Sequence, residues 1–324
     1  TDARHRNIAL GVWAAVGSGG AAFGPLIGGM LLEHFYWGSV FLINVPIGVM
    51  AVVLFLRVAP SSPRAPLSFD GAGALLNVGA LGLGILGVDA LGQKETGLGV
   101  LEIGAGILCT LLLYRQQKKL KTPMLPLDLL AIPLFSLSIL TSICAYTAQI
   151  LAYVALPFLF QTVMHLSAVT TGLLVTPWPV LVAVAAPFAG RLATRHPASV
   201  LSSVGLAILA TGLAALSLMP AQPAFWDVGW RMALCGIGFG FYQTPNNLTV
   251  MTSGPATRSG AASGMMAVAR TLGWALGSAL VALVFGLSQG SGGAVHCLEL
   301  ATTFALLGAV LSVSRRVVRS EVGR

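Results

Sequence analysis

The sequence predicts an all-α, polytopic membrane protein of about ten transmembrane helices, and three observations carry that expectation. Uncharged stretches recur along the chain at lengths near the ~20 residues a helix needs to cross the hydrocarbon core. The chain is 56% hydrophobic and only 9% charged, where soluble domains carry about 25% charged residues. The stretches are apolar throughout and do not alternate. That excludes the roughly ten-residue strands of a membrane barrel and leaves the helix as the way to satisfy a backbone in lipid.

The first span, about 8–32, is free of charge from Asn7 to Leu32, and the second, about 38–56, is stopped by Arg57. Pro60-Ser-Ser-Pro63 has turn chemistry, and Asp70 reads as a cytoplasmic helix-start residue before a third span at 71–90. Gln93-Lys-Glu-Thr-Gly97 separates it from a fourth at 98–114, which ends in a basic stretch from Arg115 to Lys121. Asp128 is read as a second helix-start residue ahead of a fifth span at 134–160. The sixth, 169–188, runs into the basic segment Gly190–Arg195, and the seventh, 199–219, stops at Pro220-Ala-Gln-Pro223. The last three lie at 228–246, 260–286 and 296–314, with Gln289-Gly-Ser-Gly-Gly293 between the final pair.

Charge placement orients these spans. With a cytoplasmic amino terminus, 15 of the 18 Lys and Arg residues fall in inside segments: Arg4, Arg6, Arg57, Arg64, Arg115, Lys118, Lys119, Lys121, Arg191, Arg195, Arg258, Arg315, Arg316, Arg319 and Arg324. Lys94 is outside, and Arg231 and Arg270 lie within or near spans. This asymmetry is the positive-inside pattern and implies an even number of crossings. The net charge of +8 therefore sits in short clusters, without the continuous basic face of a nucleic-acid binder. Cys109, Cys144, Cys235 and Cys297 lie in or beside apolar runs without metal-like spacing and read as reduced core thiols. The five histidines lack ligand spacing, Gly236-Ile-Gly-Phe-Gly240 has no strand before it, and no HExxH or Walker lysine pattern occurs, so neither an enzyme nor a cofactor is expected. Thr1 is followed by polar residues rather than a signal peptide, and the chain is expected to begin partway through something longer.

Inside the first span, Gly20, Gly24 and Gly28 recur every four residues and form one smooth helix stripe, with Pro25 set to kink it and Gly29 beside it. This Gly-striped, Pro-kinked span resembles the antiporter motif on the fifth helix of major facilitator drug:proton antiporters. The plain alternative is a packing stripe of any membrane bundle. Trp37-Gly-Ser-Val-Phe-Leu-Ile-Asn-Val-Pro-Ile-Gly48 is similar to the signature opening the sixth helix of the fourteen-helix branch, with Gly38 and Ser39 in place of Arg-Trp. The stretch Glu33-His-Phe-Tyr-Trp-Gly-Ser-Val-Phe41 looks most like the methyl viologen and quaternary-ammonium efflux pumps. Leu156-Pro157, Gln161, Gly172 and Pro177 resemble the ninth-to-tenth helix pattern, and Ala269-Arg-Thr-Leu-Gly-Trp-Ala-Leu-Gly277 the thirteenth helix.

The resemblance implies a multi-pass protein of the bacterial inner (cytoplasmic) membrane with helices five to fourteen present and the first four absent. Residues 1–56 then end an N-terminal bundle, 57–70 form a cytoplasmic linker, 71–114 an inserted helix pair, 115–133 a basic loop, and 134–324 a six-helix C-terminal bundle and tail. It also implies a gating loop at Gly190 to Arg195, where Thr194 stands in place of the usual Asp; a threonine can cap a helix but forms no ion pair. A short basic loop is the alternative.

Charged groups in a membrane cost roughly 2.5–3.5 kcal/mol at a helix centre and are functional candidates. Arg270 is the deepest, about 18 Å along a helix from Arg258 at about 1.5 Å per residue. Glu102, Glu299, Asp89 and Asp227, all in the outer half, are the carboxyls available for proton coupling, because burial and nearby cations move a carboxyl's proton affinity in opposite directions. For a cation with apolar bulk, ring faces are needed. The resemblance implies that Tyr146, Gln149, Tyr153, Trp178, Phe239, Tyr242, Asn246 and Met266 line a substrate cavity. The expected function is proton-coupled efflux of lipophilic cations, with lipid, protons and the missing N-terminal helices as partners. The alternatives are a metabolite exporter, and a non-transporting remnant or partner-requiring subunit.

The orientation predicts that, with the four native cysteines replaced, Lys94→Cys is labelled by a membrane-impermeant maleimide on intact cells and Lys119→Cys is not. Outside labelling at 119 would refute the topology.

Overall fold

The computed structural model describes residues 20, 24, 27–58, 70–92, 95–118, 120, 126–220, 222–255, 258–288 and 292–322, with backbone alone at 127 and 316–322. Helices α1 (27–34), α2 (Ser39–Leu42) and α3 (Asn44–Val58) come first. A hairpin of α4 (Gly71–Gly92) and α5 (Thr96–Gln117) follows. After the short α6 (Leu127–Leu130) come α7 (Pro133–Phe158), α8 (Ala168–Val175), α9 (Pro177–Leu192), α10 (Ala198–Ser217), α11 (Phe225–Thr252), α12 (Ser259–Leu287) and α13 (Gly292–Val322).

Among the described residues, eight helical segments are long and apolar enough to cross a membrane. The expected count of ten is not reproduced, for two reasons. Most of the expected first span, including Pro25, lies outside the described residues. Helix α11 is 28 residues long but carries Asp227, Arg231, Gln243, Asn246 and Asn247, which make it too polar to join the eight. It is nonetheless among the most enclosed helices, packed on α7, α9 and α10. Its inner polar groups Gln243 and Asn246 find hydrogen-bond partners on α7 and α13, so lipid hydropathy is the wrong test for it.

Local chemistry explains most helix ends. Asp70 Oδ1 accepts from the Gly73 N–H at 2.8 Å and opens α4, as read from the sequence. The same carboxylate accepts from Gln116 and Gln117, at 3.0 and 2.5 Å, tying the end of α5 to the start of α4. Pro133 and Pro177 occupy the first turns of α7 and α9, where a missing N–H costs nothing. Pro177 also splits the expected sixth span into α8 and α9, and Thr176 Oγ1 donates to the Gly172 carbonyl at the joint (2.7 Å). Pro157 withdraws a donor near the end of α7, and the helix slackens into a π turn over Leu159–Val163. His165 then takes φ 55°, a left-handed conformation that ends the segment.

The helix directions alternate. Gly205 meets Tyr242 while Gly212 meets Cys235, so α10 and α11 are antiparallel; Gly273 lies at Tyr146 and Gly277 at Ile150, so α12 runs parallel to α7. Helix α7 is the spine, packed by α12 on one side and α13 on the other, with α10 joining α13 to α11 and α9 flanking α11. Leu151, Leu156, Leu206, Leu209, Leu213, Cys235, Phe239, Cys297 and Leu298 form its core. A second cluster of Leu129, Phe135, Ile139, Val250 and Met265 seals the end of the bundle around α6. There Arg258 grips Asp128 through two hydrogen bonds of 2.9 and 2.5 Å. At the other extreme, Ser39–Val58 buries none of its apolar window.

Two expectations change with the backbone. Gly190 is not in a loop: α9 continues to Leu192, and Thr194 Oγ1 caps its end by donating to the Arg191 carbonyl at 2.7 Å. Arg315 is not in a tail after a span ending at 314, because α13 runs on to Val322 and carries it as a buried residue.

A methyl added at Gly205 would lie 2.5 Å from the Tyr242 backbone nitrogen and 2.7 Å from the Gly238 carbonyl oxygen, neither of which can swing aside. Gly205→Ala is expected to destabilise the bundle by about 1–3 kcal/mol in detergent unfolding. Gly264→Ala, which meets nothing within 4 Å, should change stability by less than about 0.5 kcal/mol. The Arg258 guanidinium holds the Asp128 carboxyl below its usual range. The pair's contribution is therefore complete above the unfolded carboxylate value of about 3.9 and lost as pH falls through the lower folded value. Any stability difference between wild type and Asp128→Asn at pH 7 should vanish near pH 2.

Candidate functional site

The named side chains of α7, α11 and α12 stack in layers. In the layer nearest α6, Asn246 is fully buried, donating to Ser142 Oγ at 2.8 Å and to the Ser138 carbonyl at 3.3 Å. Its own amide oxygen accepts from Arg315 at 2.8 Å. Asn246 was expected on an aqueous face because an amide in lipid is unsatisfied; it is satisfied inside the bundle instead, by partners on α7 and α13.

One turn outward, Gln243 donates to the Tyr146 hydroxyl at 3.0 Å. The Tyr146 ring meets Phe239 edge-on at 5.7 Å and Trp274 at 6.2 Å, and Phe239 meets Tyr242 at 5.5 Å. These are favourable edge-to-face distances, worth about 0.5–1.5 kcal/mol each. Tyr146 can sit this close to α12 because position 273 is glycine: a Cβ there would be 2.7 Å from the Tyr146 Cβ. Tyr242 is wholly enclosed in the core.

The next layer is open on one side. Trp274 is 42% exposed and donates from its indole nitrogen to Gln149 Oε1 at 3.3 Å. Arg270, one turn earlier on α12 and also exposed, lays its guanidinium over the Trp274 ring at 5.6 Å from the centroid. Among the described residues, no carboxylate pairs with Arg270. Gly273 and Gly277 seat α12 against α7, while Trp274 reaches α7 through Tyr146 and Gln149 at the open edge of that seam and carries Arg270 on its exposed side. Outermost, Tyr153 meets Trp178 edge-on at 5.0 Å, and Trp178 is buried with its indole N–H unpartnered among the described residues.

The structure does not bring the other expected residues here. Met266 packs with the cluster around Leu129 and Phe135. Asp227 pairs with Arg231 one turn along α11 at 3.0 Å, and Glu299 with His296 at 3.0 Å on exposed α13 surface. Asp89 is exposed near the end of α4, and Glu102 on α5 has one carboxylate oxygen buried without a hydrogen-bond partner among the described residues. Arg195 is exposed beyond the end of α9, and Gly190 lies near Thr244 of α11. In the glycine stripe, a Cβ at Gly20, Gly24 or Gly28 would meet nothing within 4 Å among the described residues, whereas at Gly29 it would fall 2.7 Å from the Ala168 carbonyl oxygen at the start of α8. Among the described residues, no group of three or more His, Cys, Asp or Glu is arranged to hold a metal.

Sequence reasoning passed over Gln243, Trp274, Ser138, Ser142 and the burial of Arg315. Two of these carry a local signal: Gln243 lies four residues after Phe239 and Trp274 four after Arg270, the spacing at which helix side chains meet.

The arrangement has the parts of a solute-handling face: ring edges, amides and one cation, with no nucleophile–base pair. Comparison with known proteins agrees. Residues 1–278 match the Major Facilitator Superfamily. The chain is 43% identical over 310 residues to the uncharacterized transporter YebQ of Escherichia coli K12, covering 94% of this chain and 67% of that protein. It is 28% identical over 288 residues to the riboflavin transporter RibZ of Clostridioides difficile, covering 88% and 62%. To the methyl viologen resistance protein SmvA of Salmonella typhimurium it is 32% identical over 290 residues, covering 89% and 59%. The chain therefore spans about three fifths to two thirds of the length of these relatives. With its multi-helix bundle, its polar inner helix and a match over residues 1–278, this chain belongs to the Major Facilitator Superfamily, as a multi-pass bacterial inner-membrane protein of a transporter family rather than of an enzyme family.

Proposed function

We propose that the chain forms the larger part of a proton-coupled efflux pump for lipophilic cations of the methyl viologen and quaternary-ammonium type. In this reading it supplies helices five to fourteen of a fourteen-helix protein. The observation that carries the proposal is Arg270 resting on the exposed face of Trp274, 5.6 Å from its centroid, while the Trp274 indole is fixed to Gln149. A guanidinium and a transported cation compete for the same ring face, each gaining about 0.5–2 kcal/mol from it. A carboxylate contributed by the four preceding helices draws Arg270 off the ring when ionised and releases it when protonated. Proton and substrate then exclude one another, which is what antiport requires. The same four helices cover the open side of α12 and provide the contact for Gly20, Gly24 and Gly28. The similarity to SmvA supports the cation class.

A second reading has support in the similarity to RibZ: export of a planar metabolite, with ring edges and the amides of Gln149 and Gln243 as its contacts.

The test is pH-gradient-driven uptake of a fluorescent lipophilic cation into inverted vesicles. A chain with four preceding helices should accumulate the dye, lose it on adding a protonophore, and lose accumulation by at least about tenfold, or ~1.4 kcal/mol, with Arg270→Ala. The 324 residues alone should not accumulate it. Energised uptake by these residues alone would overturn the partial-pump reading, and uptake of riboflavin without the cation would favour the second.

A further inference from the structure

Arg315 is 1% exposed, yet its guanidinium meets only neutral acceptors. One terminal nitrogen donates to Ser138 Oγ at 2.9 Å and to Asn246 Oδ1 at 2.8 Å, the other to Ser312 Oγ, and Nε to the Ser312 carbonyl at 3.3 Å. Among the described residues no carboxylate pairs with it. Ser312 in turn donates to the Ser199 carbonyl of α10 at 2.9 Å, so one cation gathers α7, α10, α11 and α13.

Such a group tolerates only one arrangement of its neighbours. If α11 slid along α7 by a turn, the guanidinium and the Asn246 amide would both be left unsatisfied. Each unmet buried group costs about 1–3 kcal/mol, and more when charged. An apolar side chain there would be indifferent to the slide. Buried polar groups are best attested in this role, as devices that choose a register rather than as sources of stability. The layer that Arg315 holds adjoins the ring layer: Asn246 is three residues from Gln243 and Ser142 four from Tyr146, about one 5.4 Å turn in each case.

We propose that Arg315 is a positioning residue for the transport face: through Asn246 and Ser138 it locks α11 against α7 in the register that brings Gln243 and Phe239 onto Tyr146. The geometric part stands on packing alone, and its meaning for transport rests on the function proposed above.

Cross-link yields read the register. In a background lacking Cys109, Cys144, Cys235 and Cys297, the pairs Tyr146→Cys/Gln243→Cys and Tyr146→Cys/Asn247→Cys are treated in native membranes with a short bifunctional thiol reagent, because side chains that meet at their tips leave a gap too wide for a direct disulfide. The first reports the observed register and the second a one-turn slip. With Arg315 present the 146–243 pair should dominate. Arg315→Met removes the buried cation but leaves the Asn246 amide oxygen without its donor, so the protein should still fold, with a thermal midpoint unchanged or lower, while the 146–247 share increases at least about threefold. Arg315→Lys keeps the charge without the planar fork and should fall between the two. An unchanged ratio in whichever variant folds overturns the proposal. Loss of folded protein in both does the same, because it would make Arg315 a structural support only. Cation uptake by the chain completed with its four preceding helices forms a separate arm, in which Arg315→Met should raise KM. If the unsubstituted protein transports no cation, the functional reading fails while the cross-link ratio still decides the register.

Discussion

With lipid around them, these helices gain little from hiding apolar side chains, and the bundle depends on how closely its backbones approach one another. That is why glycine marks the principal crossings. At Gly205 and Gly238 the strands of backbone from α10 and α11 pass so near that an added Cβ at Gly238 would fall 2.6 Å from the Gly205 carbonyl oxygen. Gly236 and Gly240 do the same for α11 against α9, and Gly273 and Gly277 for α12 against α7. Dispersion summed over such tight seams replaces the water-driven term that holds a soluble core.

Polar groups then decide which of the close-packed arrangements is adopted. The seams are smooth and would accept neighbouring registers, whereas hydrogen bonds between helices would not. Thr147 donates to the Gly273 carbonyl at 3.1 Å, Ser202 to the Tyr242 carbonyl at 3.3 Å and Ser203 to the Ala309 carbonyl at 3.3 Å, each pinning a different pair. The Arg315 cluster ties four helices at once. Helices α9 and α12 take no part in that cluster, and α12 is the one that presents Arg270 and Trp274 on its free side.

The open face also explains the uneven burial. The most apolar window of α7 is 61% buried, that of Gly71–Gly92 is 11% and that of Ser39–Val58 none. Apolar residues on α3, α4 and α5 need only lipid or other helices for neighbours. Arg270 has a different requirement: a cation at that depth calls for an anion, a ring or water, and the ring of Trp274 meets it in part.

The sequence alone determined the helical class, the approximate position of each described span from 38 to 314, the alternation of directions and the roles of Asp70 and Asp128 at helix starts. These are local quantities: hydropathy, charge and turn chemistry are summed over neighbours in the chain, and lipid leaves a backbone few choices. Of the residues that the family resemblance implied, the structure places Tyr146, Phe239 and Gln149 in adjoining layers, with Arg270 beside them over the Trp274 ring. Only the tertiary structure decided what each face meets. Asn246 and Arg315 lie 69 residues apart and satisfy each other, turning an expected cavity amide and an expected tail charge into one buried lock. Gly29, rather than its three stripe-mates, is the glycine in contact, and α11 belongs in the bundle despite its polarity. A helix's rotation and register are set by its partners, and the identity of those partners is not a local property of the chain.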